Sequence, residues 1–221
     1  MLPSHAQSIR LIAFDVDGVM TDGGLYLSDS GEESKRFNSL DGQGLKMLKA
    51  SGVELAFISG RASRCVELRA HNLGITHLYQ GVNDKLDAMQ KLLAQLQLPP
   101  AAAAFMGDDV VDLPVMRHVG LSISVPDAPQ LVRDRAHYVT LRGGGHGAVR
   151  EVCELLMSAQ GTLASQLAPY LMASAPHPMT NVAATLSVPS DGTTSHSTRL
   201  SKNDNQVAGY LQLSPSGGEG Q

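Results

Sequence analysis

Residues 14–23 read FDVDGVMTDG and close an apolar run that begins at Leu11. Side chains alternate across a strand, so Asp15 and Asp17 project the same way. The pair emerges at the C-terminal end of a short buried strand, residues 11–14, where open α/β sheets place their ligands. Two carboxylates this close repel unless a cation or a shared proton relieves them. The pattern points to a hard-metal site, to a nucleophile beside a proton donor, or to both. Alone, Asp-x-Asp-Gly is also an ordinary polar turn. The residues downstream decide between the two.

Apolar runs alternate with helical patterns to about residue 165. Residues 53–58 and 103–106 read as buried strands, 77–79 as a short one, and 121–125 and 137–141 as further strands. Leu86, Met89, Leu93 and Leu96 recur at helical spacing, which predicts a helix over 84–96. Further helices are expected at 62–73, ended by Gly74, and at 130–135. Another follows strand 103–106 through about 118, with Pro114 in an early turn where its missing N–H is tolerated. A closing helix over 148–158 is stopped by Gly161. Asp41 is the expected cap of a short helix that carries Leu45 and Leu48 and stops at Gly52. Residues 25–27 and 34–37 flank Asp29-Ser30-Gly31 as a hairpin. Strands alternating with helices give an α/β fold with a mostly parallel sheet.

Composition narrows the partners. The 221 residues are 43% hydrophobic, enough for one domain of ordinary size. A net charge of −4 without a basic block argues against nucleic acid. No apolar run approaches the ~18 residues of a membrane span. The opening MLPSHAQSIR lacks the charged and apolar regions of a signal peptide. Cys65 and Cys153 are far apart and read as thiols of a reducing compartment. A cytoplasmic protein is the expectation. Of the 50 residues from 172 to 221, 22 are Ser, Thr, Gly or Pro, and only Tyr210 is aromatic. Such a segment lacks the apolar surface to build a core. The domain is therefore expected over 1–165, with a disordered tail over 166–221.

Four groups of residues fall after predicted strands or at the next helix start. They are Asp15 and Asp17, then Ser59-Gly60-Arg61, then Lys85, then Asp108-Asp109 with Asp112. A doubly wound sheet assembles sites from several strand ends facing one crevice. Each group is ordinary by itself: a turn, a surface lysine, a helix N-cap. Their joint appearance, in order, is not. The residue types suit phosphoryl transfer. Asp15 is the candidate nucleophile and Asp17 the acid and base. Ser59, Gly60 and Lys85 suit the phosphate oxygens. Asp15, Asp108 and the main-chain carbonyl of Asp17 make an oxygen-only set of the kind Mg²⁺ prefers. Asp109 and Asp112 are placed to hold metal waters and to orient Lys85.

The same motifs, FDVDGVMTDG, ISGR, Lys85 and GDDVVD, resemble the four signatures of haloacid dehalogenase-type phosphatases. Phe37-Asn38, DGQG at 41–44, LGITHLYQGVNDK, VGLSISVPDA and GGGHGAVREVCELLMSAQG extend the likeness over about residues 9–161. They resemble the capless branch that acts on 3-deoxy-D-manno-octulosonate 8-phosphate. The resemblance implies a Rossmann-like domain with no cap, Mg²⁺, a homotetramer built from the hairpins, and a role in lipopolysaccharide biosynthesis. It also implies the catalytic roles of Asp15 and Asp17, the metal role of Asp108, and phosphate binding by Ser59 and Lys85. Arg61 and Arg69 resemble residues that meet the sugar acid, and a guanidinium suits a carboxylate. His146 lies in a Gly-rich loop and reads as a turn residue. Two alternatives share these residues: a nonulosonate 9-phosphate phosphatase, and a non-catalytic phosphoacceptor or oligomerisation module. A lasting phosphoryl group would not need Asp17 as proton donor, so Asp17 favours turnover.

Overall fold

The computed structural model describes residues 4–172 of the chain. After a short 3-10 turn, β1 (Leu11–Phe14) runs fully buried into the acidic motif. β2 (Tyr26–Leu27) and β3 (Glu33–Ser34) pair antiparallel as a small separate hairpin, shorter than expected. Next come α1 (Ser39–Ala50), β4 (Glu54–Ile58), α2 (Arg64–Leu73), β5 (His77–Tyr79), α3 (Lys85–Leu96) and β6 (Ala103–Met106). The chain continues through α4 (Leu113–Met116), β7 (Leu121–Ser124), α5 (Gln130–Arg133) and β8 (Tyr138–Val139). It then forms α6 (Ala148–Ala159) and α7 (Leu163–Met172).

Six strands form one all-parallel sheet in the order β5-β4-β1-β6-β7-β8. From β1 the chain builds outward to β5, then returns past β1 to start the other half at β6. The direction therefore reverses between β1 and β6, and a crevice opens at their C-terminal ends. Register sets what faces it. Phe14 pairs with Met106, and the Asp15 amide donates to the Met106 carbonyl at 2.9 Å. The first acidic motif therefore lies beside the Gly107–Asp108 turn. Helices flank the sheet, α1 packing with α6 and α3 with α4. Phe14, Phe57 and Phe105 lie in the core, the first two edge to face with centroids 6.5 Å apart.

Several local expectations change. Asn38, not Asp41, caps α1, its Oδ1 accepting from the Leu40 amide at 2.8 Å. Asp41 lies inside the helix, fully buried, and accepts from the Arg150 amide at 2.8 Å. The helix expected through 118 is broken into a 3-10 turn (Val110–Asp112) and the short α4. Asp109 and Asp112 hold that turn as a reciprocal capping box. β8 stops at Val139 because the Leu141 and Arg142 amides turn to the Glu151 carboxylate, at 2.9 and 3.1 Å. The tail expected from 166 starts later, since residues 166–172 continue α7. Leu163 and Leu167 pack on the core, and Gln43 Nε2 donates to Tyr170 Oη at 2.7 Å. The rest of that expected tail, 173–221, lies outside the described residues. Among the described residues no helix is long and apolar enough to cross a membrane.

Phe57 supports both the β1–β4 pair and the aromatic contact. Phe57→Ala is expected to cost about 3–5 kcal/mol, read from urea unfolding, because the sheet closes only partly over the void.

Candidate active site

The Asp15 carboxylate is nine-tenths buried directly after β1. The Asp17 side chain sits on the tight turn that follows, where the Val16 carbonyl accepts from the Met20 and Thr21 amides at 2.9 and 3.1 Å. Gly18 in this turn has φ +94°, and a Cβ there would overlap the Asp108 carboxylate. Only glycine lets the first and fourth motifs come this close. Asp84 starts α3 by accepting from the Leu86 and Asp87 amides at 2.9 and 3.1 Å. This cap sets Lys85 on the first turn, aimed inward and buried.

Lys85 Nζ lies 2.9 Å from Asp15 Oδ1 and donates to Asp112 Oδ1 at 2.6 Å. Asp112 Oδ2 accepts from the Asp108 and Asp109 amides at 3.0 and 3.2 Å. One buried carboxylate thus fixes both the lysine and the turn that carries Asp108. Asp109 has a different task from the one expected: its Oδ1 accepts from the Val110 amide at 2.7 Å, away from Lys85.

The electrostatics follow from crowding. Carboxylate oxygens of Asp15, Asp108 and Asp112 lie within 4.8 Å of one another. Burial, then repulsion from Asp112, pushes the Asp15 carboxyl above the usual range, with Lys85 opposing. Burial, then Asp15 and Asp112, pushes Asp108 up as well. Burial pulls Lys85 down, but Asp15 and Asp112 together outweigh it and raise it. Asp108 Oδ1 is buried without a hydrogen-bond partner, whereas both Asp112 oxygens are engaged. A divalent cation on Asp15 and Asp108 would satisfy that orphan oxygen and offset the repulsion. The donor set fits Mg²⁺.

The crevice is a cleft of ≈ 210 Å³ lined by Asp15, Asp17, Ser59, Arg61, Lys85 and Asp108. Gly60 and Asp109 border it too. Ser59 is buried, with its amide on the Tyr79 carbonyl at 2.9 Å and its Oγ accepting from the Arg61 amide at 3.2 Å. A larger cavity of ≈ 690 Å³, lined by Gln7, Arg10, Ser51 and Gln160 among others, lies at the other end of the sheet and holds none of the acidic cluster.

Of the residues singled out in the sequence, all but Arg69 and Asp112 line the cleft, and Asp112 lies buried just behind it. Arg69 stands apart, against α1. Its guanidinium donates to the Asn38 carbonyl at 2.9 Å and lies 5.7 Å from the Phe37 ring centroid. His146 is held by the Gly144 carbonyl at 2.8 Å and borders an adjacent cavity with Asp22, Asp108 and Asp127. Lys35 and Glu33 were not legible. The Lys35 ammonium, almost fully buried, pairs with Asp17 Oδ1 and lies 3.3 Å from Glu33 Oε1. Arg61 binds the same Glu33 at 2.9 Å and lies 3.7 Å from Asp17 Oδ2. Hydrogen bonds, first from Ser63 and then from Arg61 and Lys35, hold the Glu33 carboxyl down at about 2. Nothing in GEESKRF marks these charges as facing the cleft, because the hairpin's fold over β1 is a tertiary event.

A family model of haloacid dehalogenase-like hydrolases matches residues 77–151. The chain is 53% identical over 159 residues to 3-deoxy-D-manno-octulosonate 8-phosphate phosphatase of Yersinia pestis, covering 72% of this chain and 85% of that one. The Escherichia coli K12 enzyme of the same name is 52% identical over 160 residues, with the same coverage. A solved structure of this phosphatase from Moraxella catarrhalis, in complex with magnesium, phosphate and KDO, superposes with TM-score 0.74. It is 43% identical, over 75% of this chain and 95% of that one.

Because Asp112 is buried and its carboxylate holds three groups together, Asp112→Ala is expected to lower the unfolding free energy by about 3–5 kcal/mol, measured in urea. Unchanged stability would show that Lys85 and the 107–112 turn are held by something else.

Proposed function

The chain belongs to the 3-deoxy-D-manno-octulosonate 8-phosphate phosphatases, a family of haloacid dehalogenase-like hydrolases, and from that membership we propose how its residues divide the reaction. The enzyme hydrolyses 3-deoxy-D-manno-octulosonate 8-phosphate to the free sugar acid and inorganic phosphate, a step of lipopolysaccharide biosynthesis. The observation that carries the assignment is the cluster of Asp15, Asp108 and Asp112 at the end of β1, with Asp15 and Asp112 clasping Lys85.

Asp15 attacks phosphorus and forms an aspartyl-phosphate, splitting one hard displacement into two easier ones. Asp17 protonates the sugar oxygen as the ester bond breaks. It then takes a proton from the water that attacks the aspartyl-phosphate, which returns Asp15 and frees phosphate. Lys85, Ser59 and the Gly60 amide hold phosphate oxygens through both steps. Asp112 keeps Lys85 aimed at the cleft. Bound Mg²⁺, held by Asp15, Asp108 and the Asp17 carbonyl, supplies positive charge against the carboxylates and the phosphate. Arg61, at the rim, suits the sugar-acid carboxylate. Arg69 keeps such a role only toward a neighbouring subunit, since its own cleft lies out of reach.

The protein is further read as a homotetramer joined through the β2–β3 hairpin. Leu25, Tyr26 and Leu27 are exposed on that hairpin, at 53%, 47% and 63%, and a two-stranded hairpin is marginal by itself. The catalytic domain ends with α7, and the tail beyond it is not needed for chemistry. The free thiols Cys65 and Cys153 support a cytoplasmic location.

Phosphate release is measured from 3-deoxy-D-manno-octulosonate 8-phosphate and from a nonulosonate 9-phosphate. Preference for the first is expected, with activity lost in EDTA and restored by Mg²⁺. Preference for the second would overturn the substrate and keep the mechanism. Asp15→Asn should remove turnover while circular dichroism stays native; an active variant would exclude Asp15 as the nucleophile. Leu27→Asp should shift light scattering from tetramer to monomer, and an unshifted tetramer would place the interface elsewhere.

A further inference from the structure

The segment FNSLDGQG at 37–44 takes no part in the steps above, yet two of its polar side chains, Asn38 and Asp41, bond the loop before α6 and the first turn of that helix. Asn38 works in two directions. Its Oδ1 caps α1 through the Leu40 amide, and its Nδ2 donates to the Gly145 carbonyl at 3.2 Å. Three residues on, Asp41 caps α6 through the Arg150 amide. Glu151 holds the start of the same loop through the Leu141 and Arg142 amides. Asn38 holds its middle at Gly145.

The loop in turn presses on the turn that carries Asp17. The Gly145 amide donates to the Val19 carbonyl at 3.0 Å. A Cβ at Gly144 would overlap the Gly18 carbonyl, and one at Gly145 would lie 2.6 Å from the Asp22 amide nitrogen. These are backbone-to-backbone contacts, with no flexible side chain to absorb a shift. Movement of residues 143–147 passes directly to Gly18, the neighbour of Asp17. A small misplacement of a proton donor is enough to slow the step it serves.

We propose that Asn38 is a positioning residue for Asp17, acting through its bond to Gly145 and the glycine loop, and that it serves protonation of the leaving oxygen. The proposal rests on the acid role given to Asp17 above.

The test separates positioning from folding by the leaving group. A sugar alkoxide needs a proton to depart, whereas p-nitrophenolate does not. The ratio kcat/KM reports the steps up to phosphoryl transfer. Asn38→Ser keeps an equally good helix cap but is too short to reach Gly145. Its kcat/KM on the sugar phosphate is expected to fall about tenfold, a fraction of what a general acid contributes. On p-nitrophenyl phosphate the fall should be no more than about twofold, and Tm should stay within about 2 °C because the cap is kept. Equal losses on both substrates, or none on either, would overturn the proposal. Asn38→Asp also keeps the cap, sets an oxygen against the Gly145 carbonyl and must show the same selectivity; it carries the test if the serine variant does not fold. Asp17→Asn fixes the scale, and no selective loss there would overturn both its acid role and this inference. Wild-type enzyme that cleaves the aryl but not the sugar phosphate would overturn the substrate alone, and the comparison is then read on the alkyl phosphate it accepts.

Discussion

The structure is organised around a repulsion. Parallel pairing of β1 with β6 brings Asp15 and Asp108 to one crevice, and the turn after β6 adds Asp112 beneath them. Three carboxylates so placed and mostly buried would destabilise an ordinary fold. Here Lys85 offsets part of the charge from within, and a divalent cation suits the rest. The same crowding that resists folding suits the site to a divalent cation, whose charge would then offset the repulsion between the carboxylates and a phosphate. Parallel strands contribute because their C-terminal ends all face the same way. An antiparallel sheet of similar strands would scatter these residues to both ends.

Burial divides the acids into distinct jobs. Asp112 has both oxygens engaged and acts as a brace. Asp108 has one oxygen buried without a partner, which a cation would satisfy. Asp15 lies between the two kinds, buried but open to the cleft. Asp17 sits beyond them, ringed by Lys35 and Arg61 from neighbouring elements. Four similar side chains thus differ in function because their surroundings differ. Glycine makes the arrangement possible at Gly18 and Gly144, where any side chain would force the motifs apart.

Much of this was legible in the chain. Apolar runs marked β1 and β6 to the residue, because a strand buried on both faces shows as an unbroken apolar stretch. The α3 period was plain from its local spacing, and Asp84, placed inside that helix, is its cap. Boundaries failed where a distant group intervened. Asp41 looked like a cap and is one, but for α6 rather than for its own helix. The strand at 137–141 was cut short by Glu151, ten residues further on. The helix expected up to 118 gave way to a capping box that also serves the acidic cluster. Residues 166–172, expected to belong to the tail, continue α7, and Leu163 and Leu167 of that helix find the core.

The residues proposed for the reaction were picked out by the sequence itself, since each follows its own strand or opens its own helix, and strand ends are set by local pattern. The family likeness covered the same stretch for the same reason. What only the tertiary structure decided is who stands beside whom. Lys35 on Asp17, Arg69 turned away to Asn38, Asp41 beneath α6 and Asn38 on Gly145 all join segments from 18 to 109 residues apart. A side chain carries its chemistry in its own atoms. Its neighbours depend on how the whole sheet closes, and no local pattern records that.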